Sequence, residues 1–266
     1  MKIIRYLDTE GKSGLAAKSG SGPFRKLQGD LFGGFSITEE EVDAQRSLLP
    51  FRPTQIFGVG LNYRKHAEET GTPLPQYPLI FMKNVTAACW HGDPIRLPSA
   101  NYSSEVDYEG ELAVVIGRDC SDASEQDALD YILGYTCAND VSARDWQKKW
   151  GGGQFCRGKS FNGFCPLGPW IVTADEVPDP SVLQLSTRVN GELRQQGDAS
   201  DLIFSIPRIV SFLSRSATLA AGTVILTGTP GGVGAAMSPP SYLKDGDVVE
   251  VSISQIGELS NPVRGD

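Results

Sequence analysis

Four acidic residues stand at alternate positions, Glu105, Asp107, Glu109 and Glu111, and the apolar run 112–116 follows them directly. A β-strand sends alternate side chains to opposite faces, so the four carboxylates share one face. Because the run beyond Glu111 is apolar at every position, a strand here has two apolar faces and enters a hydrophobic core. The segment therefore predicts a strand that enters the core, with the last two acids adjoining the interior.

Two interpretations of these acids are open. Alternating acids usually form the solvated face of an edge strand. If Glu109 and Glu111 are buried, however, such close carboxylates stay ionised only with a cation or a shared proton, and a divalent metal is the simplest partner. Glu105 and Asp107, nearer the start of the strand, are assigned to the solvated face.

A third acid, Asp140, follows the apolar segment 131–137, where a strand would end and a helical turn begin. Asp140, Arg144 and Gln147 are spaced i, i+4, i+7, so a helix starting at Asp140 places all three on one face. A structural ion pair between Asp140 and Arg144 is the alternative. Three carboxylates without a nearby Cys or His suit a hard cation, Mg²⁺ or Mn²⁺, with Ca²⁺ a weaker candidate.

Five segments with these residues occur in a fixed order along the chain. They are DYEGELAVVIG at 107–117, NDVSARDWQ at 139–147, GKSF at 158–161, VNGE at 189–192 and LTGTPGGVG at 226–234. Together they resemble the metal strand, third ligand and substrate-binding segments of the fumarylacetoacetate hydrolase (FAH) superfamily. The resemblance implies that Glu109, Glu111 and Asp140 bind Mg²⁺ or Mn²⁺.

The resemblance also implies the fold. It is an α+β, mainly β, mixed β-sandwich roll, with a small N-terminal domain over residues 1–50 and a catalytic domain over residues 51–266. Many short segments after residue 170 are typical of strands, which agrees with a mainly β core. Strands are predicted at 2–7, 55–60, 79–83, 183–189, 223–227 and 247–253, and helices at 38–49 and 206–214. The first helix is predicted because Thr38 and Glu41 form a capping box.

His66 and Glu69 are three residues apart, so one helical turn would bring the imidazole and the carboxylate together. A single histidine is more often a surface or core residue, but the resemblance assigns His66 as the general base, with Glu69 orienting it. The proline-rich segment 71–78 that follows is either a lid that excludes water or a plain surface loop.

Residues 153–160 match the Walker A pattern, which requires a buried strand before the loop and a helix after it. The following segment, 161–169, cannot form a helix, so nucleotide binding is not predicted. The resemblance instead places Lys159 at the substrate, where it binds a carboxylate or stabilises an enolate. It places Arg144 and Gln147 at the substrate as well. Thr229, in a tight turn after a strand, either binds a substrate carboxylate or belongs to a structural turn.

Composition limits the partners and the compartment. The net charge of −8 argues against nucleic acid or an anionic membrane as a partner, while local cations still allow a small anionic substrate. Five dispersed cysteines without a Cys-x-x-Cys pair indicate reduced thiols. The sequence has neither a signal-peptide pattern nor a membrane-length apolar run, so a cytoplasmic location is expected. The resemblance implies a homodimer.

The predicted activity is metal-assisted enolisation of a small 2-oxo or β-diketo acid. Return of the proton gives tautomerisation, loss of a 4-carboxylate gives decarboxylation, and attack of water gives carbon–carbon hydrolysis. Segments 141–147 and 164–169 look most like the subgroup with oxaloacetate keto-enol tautomerases, so that reaction is the first prediction. Oxaloacetate decarboxylation, hydrolysis of an acylpyruvate or fumarylpyruvate, and a non-catalytic metal- and ligand-binding relative are the alternatives. Three features depart from the closest family pattern and leave the identity of the substrate open. They are Gly110, the glycine run 151–153 and Arg157.

Overall fold

The computed structural model describes residues 1–69 and 71–265, apart from the side chains of His66 and Glu69. Its strands are β1 (Lys2–Leu7), β2 (Ser13–Lys18), β3 (Arg25–Asp30), β4 (Gly34–Glu41), β5 (Arg46–Leu48), β6 (Ile56–Gly60), β7 (Leu79–Lys83), β8 (Ala88–Trp90), β9 (Ile95–Arg96), β10 (Val106–Asp107), β11 (Gly110–Ile116), β12 (Ile132–Asn139), β13 (Ser142–Ala143), β14 (Cys165–Thr173), β15 (Gln184–Val189), β16 (Glu192–Asp198), β17 (Val224–Leu226), β18 (Val248–Ile253) and β19 (Gly257–Arg264). The α-helices are α1 (Arg64–Glu69), α2 (Arg144–Lys148), α3 (Phe155–Gly158) and α4 (Ile206–Ser216).

Within the described chain, most strands form a twelve-stranded sheet with the order β4-β3-β2-β1-β14-β12-β11-β17-β6-β7, in which β5 also pairs with β1 and β8 with β14. A five-stranded sheet, β16-β15-β18-β19-β9, packs against it, and β10 pairs with β13. The prediction of a mainly β fold with few helices is therefore confirmed.

Strand β11 lies inside the large sheet and is buried along its whole length. It pairs antiparallel with β12 on one side and with β17 on the other. Leu112 and Val114 pack towards the five-stranded sheet, while Ala113 packs into a second core on the opposite face. This arrangement confirms that the strand beyond Glu111 has two buried faces.

The predicted helix at 38–49 is wrong, because β4 and β5 occupy that segment. Strand β3 is basic where β4 is acidic, so cross-strand ion pairs form. Arg25 lies 2.6 Å from Glu39, and Lys26 lies 2.9 Å from Glu40. Opposite charges on neighbouring strands stabilise a sheet. The basic residues of β3 lie outside the four-residue pattern from which the capping box was predicted.

The other predicted elements agree with the structure. Strands β1 and β7 have the predicted bounds, and β6, β15, β17 and β18 lie within one residue of theirs at each end. The predicted helix at 206–214 is α4, whose N-cap Ser205 accepts a hydrogen bond from the Arg208 amide. A division at residue 50 stays a prediction; β1 pairs with β14, so the N-terminal strands extend the large sheet. None of the helices in the described chain is long and apolar enough to span a membrane.

Candidate active site

Glu109, Glu111 and Asp140 come together where β11 begins and β12 ends. The Asp140 amide donates a hydrogen bond to the Glu109 carbonyl oxygen over 2.8 Å, which joins the two strand ends. One carboxylate oxygen from each residue lies within 4.8 Å of the others, and all three residues are buried. The structure therefore assembles the three predicted metal ligands and excludes the solvated edge-strand interpretation for Glu109 and Glu111.

Two buried lysines neutralise part of this cluster. The Lys159 ammonium donates to Glu109 over 2.9 Å, to Ser142 Oγ over 2.8 Å, and to Asp140. The Lys83 ammonium donates to the other Asp140 oxygen over 2.5 Å. Each oxygen of Asp140 therefore accepts from an ammonium group. Asp140 thus lies between two cations and takes no part in the ion pair with Arg144 that was the alternative for it.

Arg144 and Gln147 lie on the same side of α2, and the Arg144 guanidinium donates to Gln147 Oε1 over 2.8 Å. Arg144 also donates to Asp107 over 2.9 Å and to Glu109 over 2.5 Å. The predicted start of this helix at Asp140 is wrong. Strand β13 intervenes, because it pairs with β10, and the helix begins at Arg144.

Asp107 was assigned to a solvated face, and this assignment is wrong. The residue is fully buried. One carboxylate oxygen accepts from the Gly234 amide over 2.8 Å, and the other accepts from the Ala235 amide over 2.9 Å and from Arg144. Asp107 therefore connects Arg144 to a distant loop, which the alternation of acids in the sequence does not show.

The electrostatics of Glu109 follow from its two cationic neighbours. Burial by itself would raise the pKa of the Glu109 carboxyl. The charges and hydrogen bonds of Lys159 and Arg144 outweigh burial and hold this pKa below its ordinary value. Glu109 is therefore ionised at neutral pH.

Glu111 lies in the opposite environment. Burial first, and then the negative charges of Asp140 and Glu109, raise the pKa of the Glu111 carboxyl well above its ordinary value. The charge of Lys159 and the Gly228 amide, which donates to Glu111 Oε2 over 2.6 Å, offset only part of this rise in pKa. Among the described residues, no cationic side chain forms an ion pair with Glu111.

The charge balance of the cluster fits a divalent cation. Its buried acids are Asp107, Glu109, Glu111 and Asp140, and its buried cations are Lys83, Arg144 and Lys159. Four ionised carboxylates against three cations would leave one uncompensated negative charge, and Glu111 is the acid without an ion-pair partner among the described residues. The proposed ligands offer oxygen atoms alone, the donor type that Mg²⁺, Mn²⁺ and Ca²⁺ prefer. The residues present therefore fit the predicted metal class.

Thr229 lies in the turn after β17 and belongs to a hydrogen-bond network that was not predicted. Its hydroxyl donates to the Gly110 carbonyl over 2.9 Å and accepts from Gln195 Nε2 over 2.8 Å. Gln195 Oε1 accepts from the Gly110 amide over 2.9 Å. A Cβ atom on Gly110 would lie 2.0 Å from Thr187 Oγ1, so close packing requires glycine between the two glutamates. Gln195 was missed because it lies in a polar stretch that looks solvent-exposed in sequence.

Some of these polar and charged groups line a cavity of about 490 Å³ and form its floor, whereas Asp107 and Asp140 are buried and do not line it. The predicted substrate contacts Arg144, Gln147, Lys159 and Thr229 all line it, together with Glu109 and Glu111. The walls are mainly apolar and include Val59, Leu61, Leu79, Phe81, Phe155 and Val233. The cavity therefore combines a charged floor with walls that suit a carbon skeleton.

The predicted base, His66, and its orienting residue, Glu69, have side chains outside the described part of the structure. Their helix, α1, lies in the chain between Leu61 and Thr72, and both of these residues line the cavity. The assignment of His66 and Glu69 to proton transfer stays a prediction.

A mixed β-fold thus places a buried carboxylate triad that could hold a metal ion beneath a ligand-sized cavity. Residues 55–264 match the family model described as fumarylacetoacetate (FAA) hydrolase C-terminal. The chain therefore belongs to the fumarylacetoacetate hydrolase family, as its motifs predicted.

Named relatives indicate what members of this family do. The chain is 43% identical over 240 residues to oxaloacetate tautomerase YisK of Bacillus subtilis, covering 90% of this chain and 78% of the relative. It is 46% identical over 211 residues to the mitochondrial oxaloacetate tautomerase fahd2 of Xenopus laevis, covering 79% and 66%. The crystal structure of a 5-carboxymethyl-2-hydroxymuconate delta-isomerase from Mycobacterium smegmatis is similar over 100% of both chains, with a TM-score of 0.87 and 39% identity.

Proposed function

We propose that this protein is a divalent-metal-dependent enzyme that enolises small 2-oxo acids, with keto-enol tautomerisation of oxaloacetate as its reaction. The observation that carries the proposal is the buried triad of Glu109, Glu111 and Asp140, of which Glu109 and Glu111 line a ligand-sized cavity. The two oxaloacetate tautomerases among its relatives support the choice of reaction.

Glu109, Glu111 and Asp140 would hold Mg²⁺ or Mn²⁺, which supplies Lewis-acid stabilisation of the negative charge that develops on a 2-oxo oxygen. Glu111 is the residue that must lose a proton for this, because its pKa is raised in the absence of a cation. Ligand deprotonation makes affinity for the metal depend on pH.

Arg144 and Gln147 are the groups that bind the substrate carboxylate. A guanidinium offers several donors in a planar array that suits a carboxylate, and Asp107 fixes its orientation from behind. Gln147 Oε1 already accepts from Arg144, so the amide nitrogen is the part of Gln147 that can donate to a ligand. The two side chains therefore orient one end of the substrate on the cavity floor.

Lys159 is suited to stabilising negative charge and not to accepting a proton. Burial by itself would lower the pKa of its ammonium, but Asp140 and Glu109 raise that pKa above its ordinary value. A protonated Lys159 can stabilise the enolate oxygen electrostatically. Removal of the proton from C3 then falls to another group, which we assign to His66 with Glu69.

The test follows oxaloacetate by enol absorbance and by pyruvate release at the same time, first with excess Mg²⁺ and then with EDTA. We expect metal-dependent loss of the enol without pyruvate. Because oxaloacetate also tautomerises without enzyme, Glu111→Gln under identical metal conditions gives the baseline. Stoichiometric pyruvate would identify a decarboxylase, and a wild-type rate equal to that of the variant would overturn the assignment of oxaloacetate.

A second candidate is the isomerisation or carbon–carbon hydrolysis of a longer 2-oxo or 2-hydroxydienoic acid. It is favoured by a cavity of about 490 Å³, which is large for a four-carbon acid, and by the similar structure named as an isomerase. Consumption of an acylpyruvate, measured as the loss of its absorbance, would distinguish this second candidate from oxaloacetate tautomerisation. Metal-dependent binding of both acids without turnover of either would identify a non-catalytic relative.

We also propose that the protein works as a cytoplasmic homodimer without nucleic-acid or membrane partners. The net charge of −8 argues against nucleic acid and anionic membranes as partners. Homodimers are usual in the family, which supports the dimer. Sedimentation equilibrium at micromolar concentration tests the dimer, and a monomer mass would contradict it.

A further inference from the structure

The cations that line the cavity differ between its buried floor and its mouth, which is formed by the exposed lining residues Lys148 and Phe155. Among the described residues that line it, the cations are Arg144, Lys159 and Lys148. Arg144 and Lys159 are buried and form ion pairs with acids of the floor. Lys148 is exposed and forms no ion pair or side-chain hydrogen bond with any described residue. It is therefore the lining cation that is free to pair with a ligand.

Helix α2 explains why this lysine lies beside the site. Gln147 belongs to the floor, and Lys148 is the next residue, so the helix that carries the proposed substrate-binding side chains also brings Lys148 to the cavity. The following residue, Lys149, does not line the cavity and forms an ion pair of 2.5 Å with Glu105. The two adjacent exposed lysines thus differ: Lys148 lines the cavity and has no ion-pair partner among the described residues, whereas Lys149 lies outside it and is paired.

The walls between floor and mouth offer little to a second carboxylate. Phe81 lines the cavity with buried apolar surface, and Leu79 and Phe155 add apolar surface that is partly exposed. A carboxylate placed against such walls loses hydration without gaining a partner, which is costly. A ligand that has carboxylates at both ends therefore needs a cation beyond the floor, and Lys148 is placed to supply it.

We propose that Lys148 is a specificity-determining residue that binds the distal carboxylate of a dicarboxylic 2-oxo acid. The inference rests on the proposed function, because it assumes that the floor binds the 2-oxo acid end. It extends that function by making dicarboxylic acids the preferred substrate class over monocarboxylic acids of equal length.

The expected effect is modest, since an exposed ion pair contributes little and is screened by salt. We expect Lys148→Ala to raise KM for oxaloacetate about two- to fivefold with kcat unchanged. Lys148→Glu should raise it further through repulsion, and Lys148→Arg should retain the wild-type KM. Lys149→Ala is the matched control and should change nothing.

Binding provides a readout that does not depend on turnover. The probes are 2-oxopentanedioate and 2-oxopentanoate, which differ in the distal carboxylate alone, titrated by calorimetry into Mg²⁺-loaded protein. We expect the wild-type protein to prefer the dioate about two- to fivefold at low salt, and this preference to vanish in Lys148→Ala and at about 1 M salt.

The outcomes separate the two proposals. An unchanged preference in Lys148→Ala would overturn the role of Lys148 while leaving the floor assignment intact. A preference that depends on Lys148, in a protein that does not turn over oxaloacetate, would support the distal contact and contradict the tautomerase reaction. Failure of the wild-type protein to bind either probe would overturn both.

Discussion

The floor and the mouth of the cavity are built in opposite ways. Behind the floor, Asp107 and Asp140 are fully buried, and each accepts at least two hydrogen bonds from residues distant in sequence. At the mouth, Lys148 and Phe155 are exposed, and the adjacent glycines 151–153 all adopt positive φ. The proposed reaction therefore depends on groups that many buried contacts hold in place, whereas the proposed substrate range depends on exposed groups that can change at little cost to folding.

The triad of Glu109, Glu111 and Asp140 contains two kinds of carboxylate. Asp140 is neutralised by two ammonium groups, whereas Glu111 has no cationic ion-pair partner among the described residues. A buried ion pair is costly to break from one side, while a buried unpaired charge is costly to keep. Substitutions of the two residues should therefore abolish metal binding alike but move stability in different directions.

Asp140→Asn should have the largest effect. The substitution leaves the ammonium groups of Lys83 and Lys159 buried with less negative charge, and breaking such a pair costs about 3–5 kcal/mol. The free energy of unfolding of the metal-free protein, measured in urea, should fall by that amount. A loss below about 1 kcal/mol would show that these cations are better solvated than their burial indicates.

Asp107→Asn should have the next largest effect. The new amide group would face backbone N–H groups and Arg144, all of which are donors, so a buried polar group loses its partner at a cost of about 1–3 kcal/mol. Arg144 should become less well oriented, which raises KM for oxaloacetate. Metal affinity should stay unchanged by calorimetry, because Asp107 is not a proposed ligand; a large loss of affinity would place it in the metal site.

Glu111→Gln should abolish the stabilisation of the protein by Mn²⁺ but should not destabilise the metal-free protein. Gln retains an acceptor for the Gly228 amide and removes an uncompensated buried carboxylate, so the metal-free variant should be as stable as wild type or about 1 kcal/mol more stable. Thermal unfolding with and without Mn²⁺ measures both effects.

The stability of metal-free Glu111→Gln relative to wild type should change with pH in one direction. The pKa of Glu111 is higher in the folded protein than in the unfolded chain, so the wild-type protein gains stability from this group at low pH and loses it as pH rises through the folded value. The stability of metal-free Glu111→Gln relative to wild type should therefore increase as pH rises. A relative stability that falls with rising pH would contradict the environment described for Glu111.

Phe155→Ala at the mouth should have the smallest effect on stability. The residue is 38% exposed, so the cost should stay below about 1 kcal/mol. Its loss removes apolar wall, and KM for substrates with longer carbon chains should rise more than KM for oxaloacetate. Equal increases for both would show that the mouth does not select for length.

The sequence by itself determined the triad and the strand that carries it. Period-two alternation brought Glu109 and Glu111 to one face, and the apolar run after them required a buried strand, because both signals are local. The family motifs then located Asp140, Arg144, Gln147 and Lys159, and all of these lie at the cluster.

Tertiary structure alone decided which polar residues are buried and what they contact. Asp107 and Gln195 look solvent-exposed in sequence, yet both are buried under segments more than thirty positions away. In the acidic segment at 38–49, β4 pairs with the basic strand β3 and β5 pairs with β1, both earlier in the chain. Burial and pairing depend on which distant parts of the chain pack against a segment. A local sequence pattern does not contain that information.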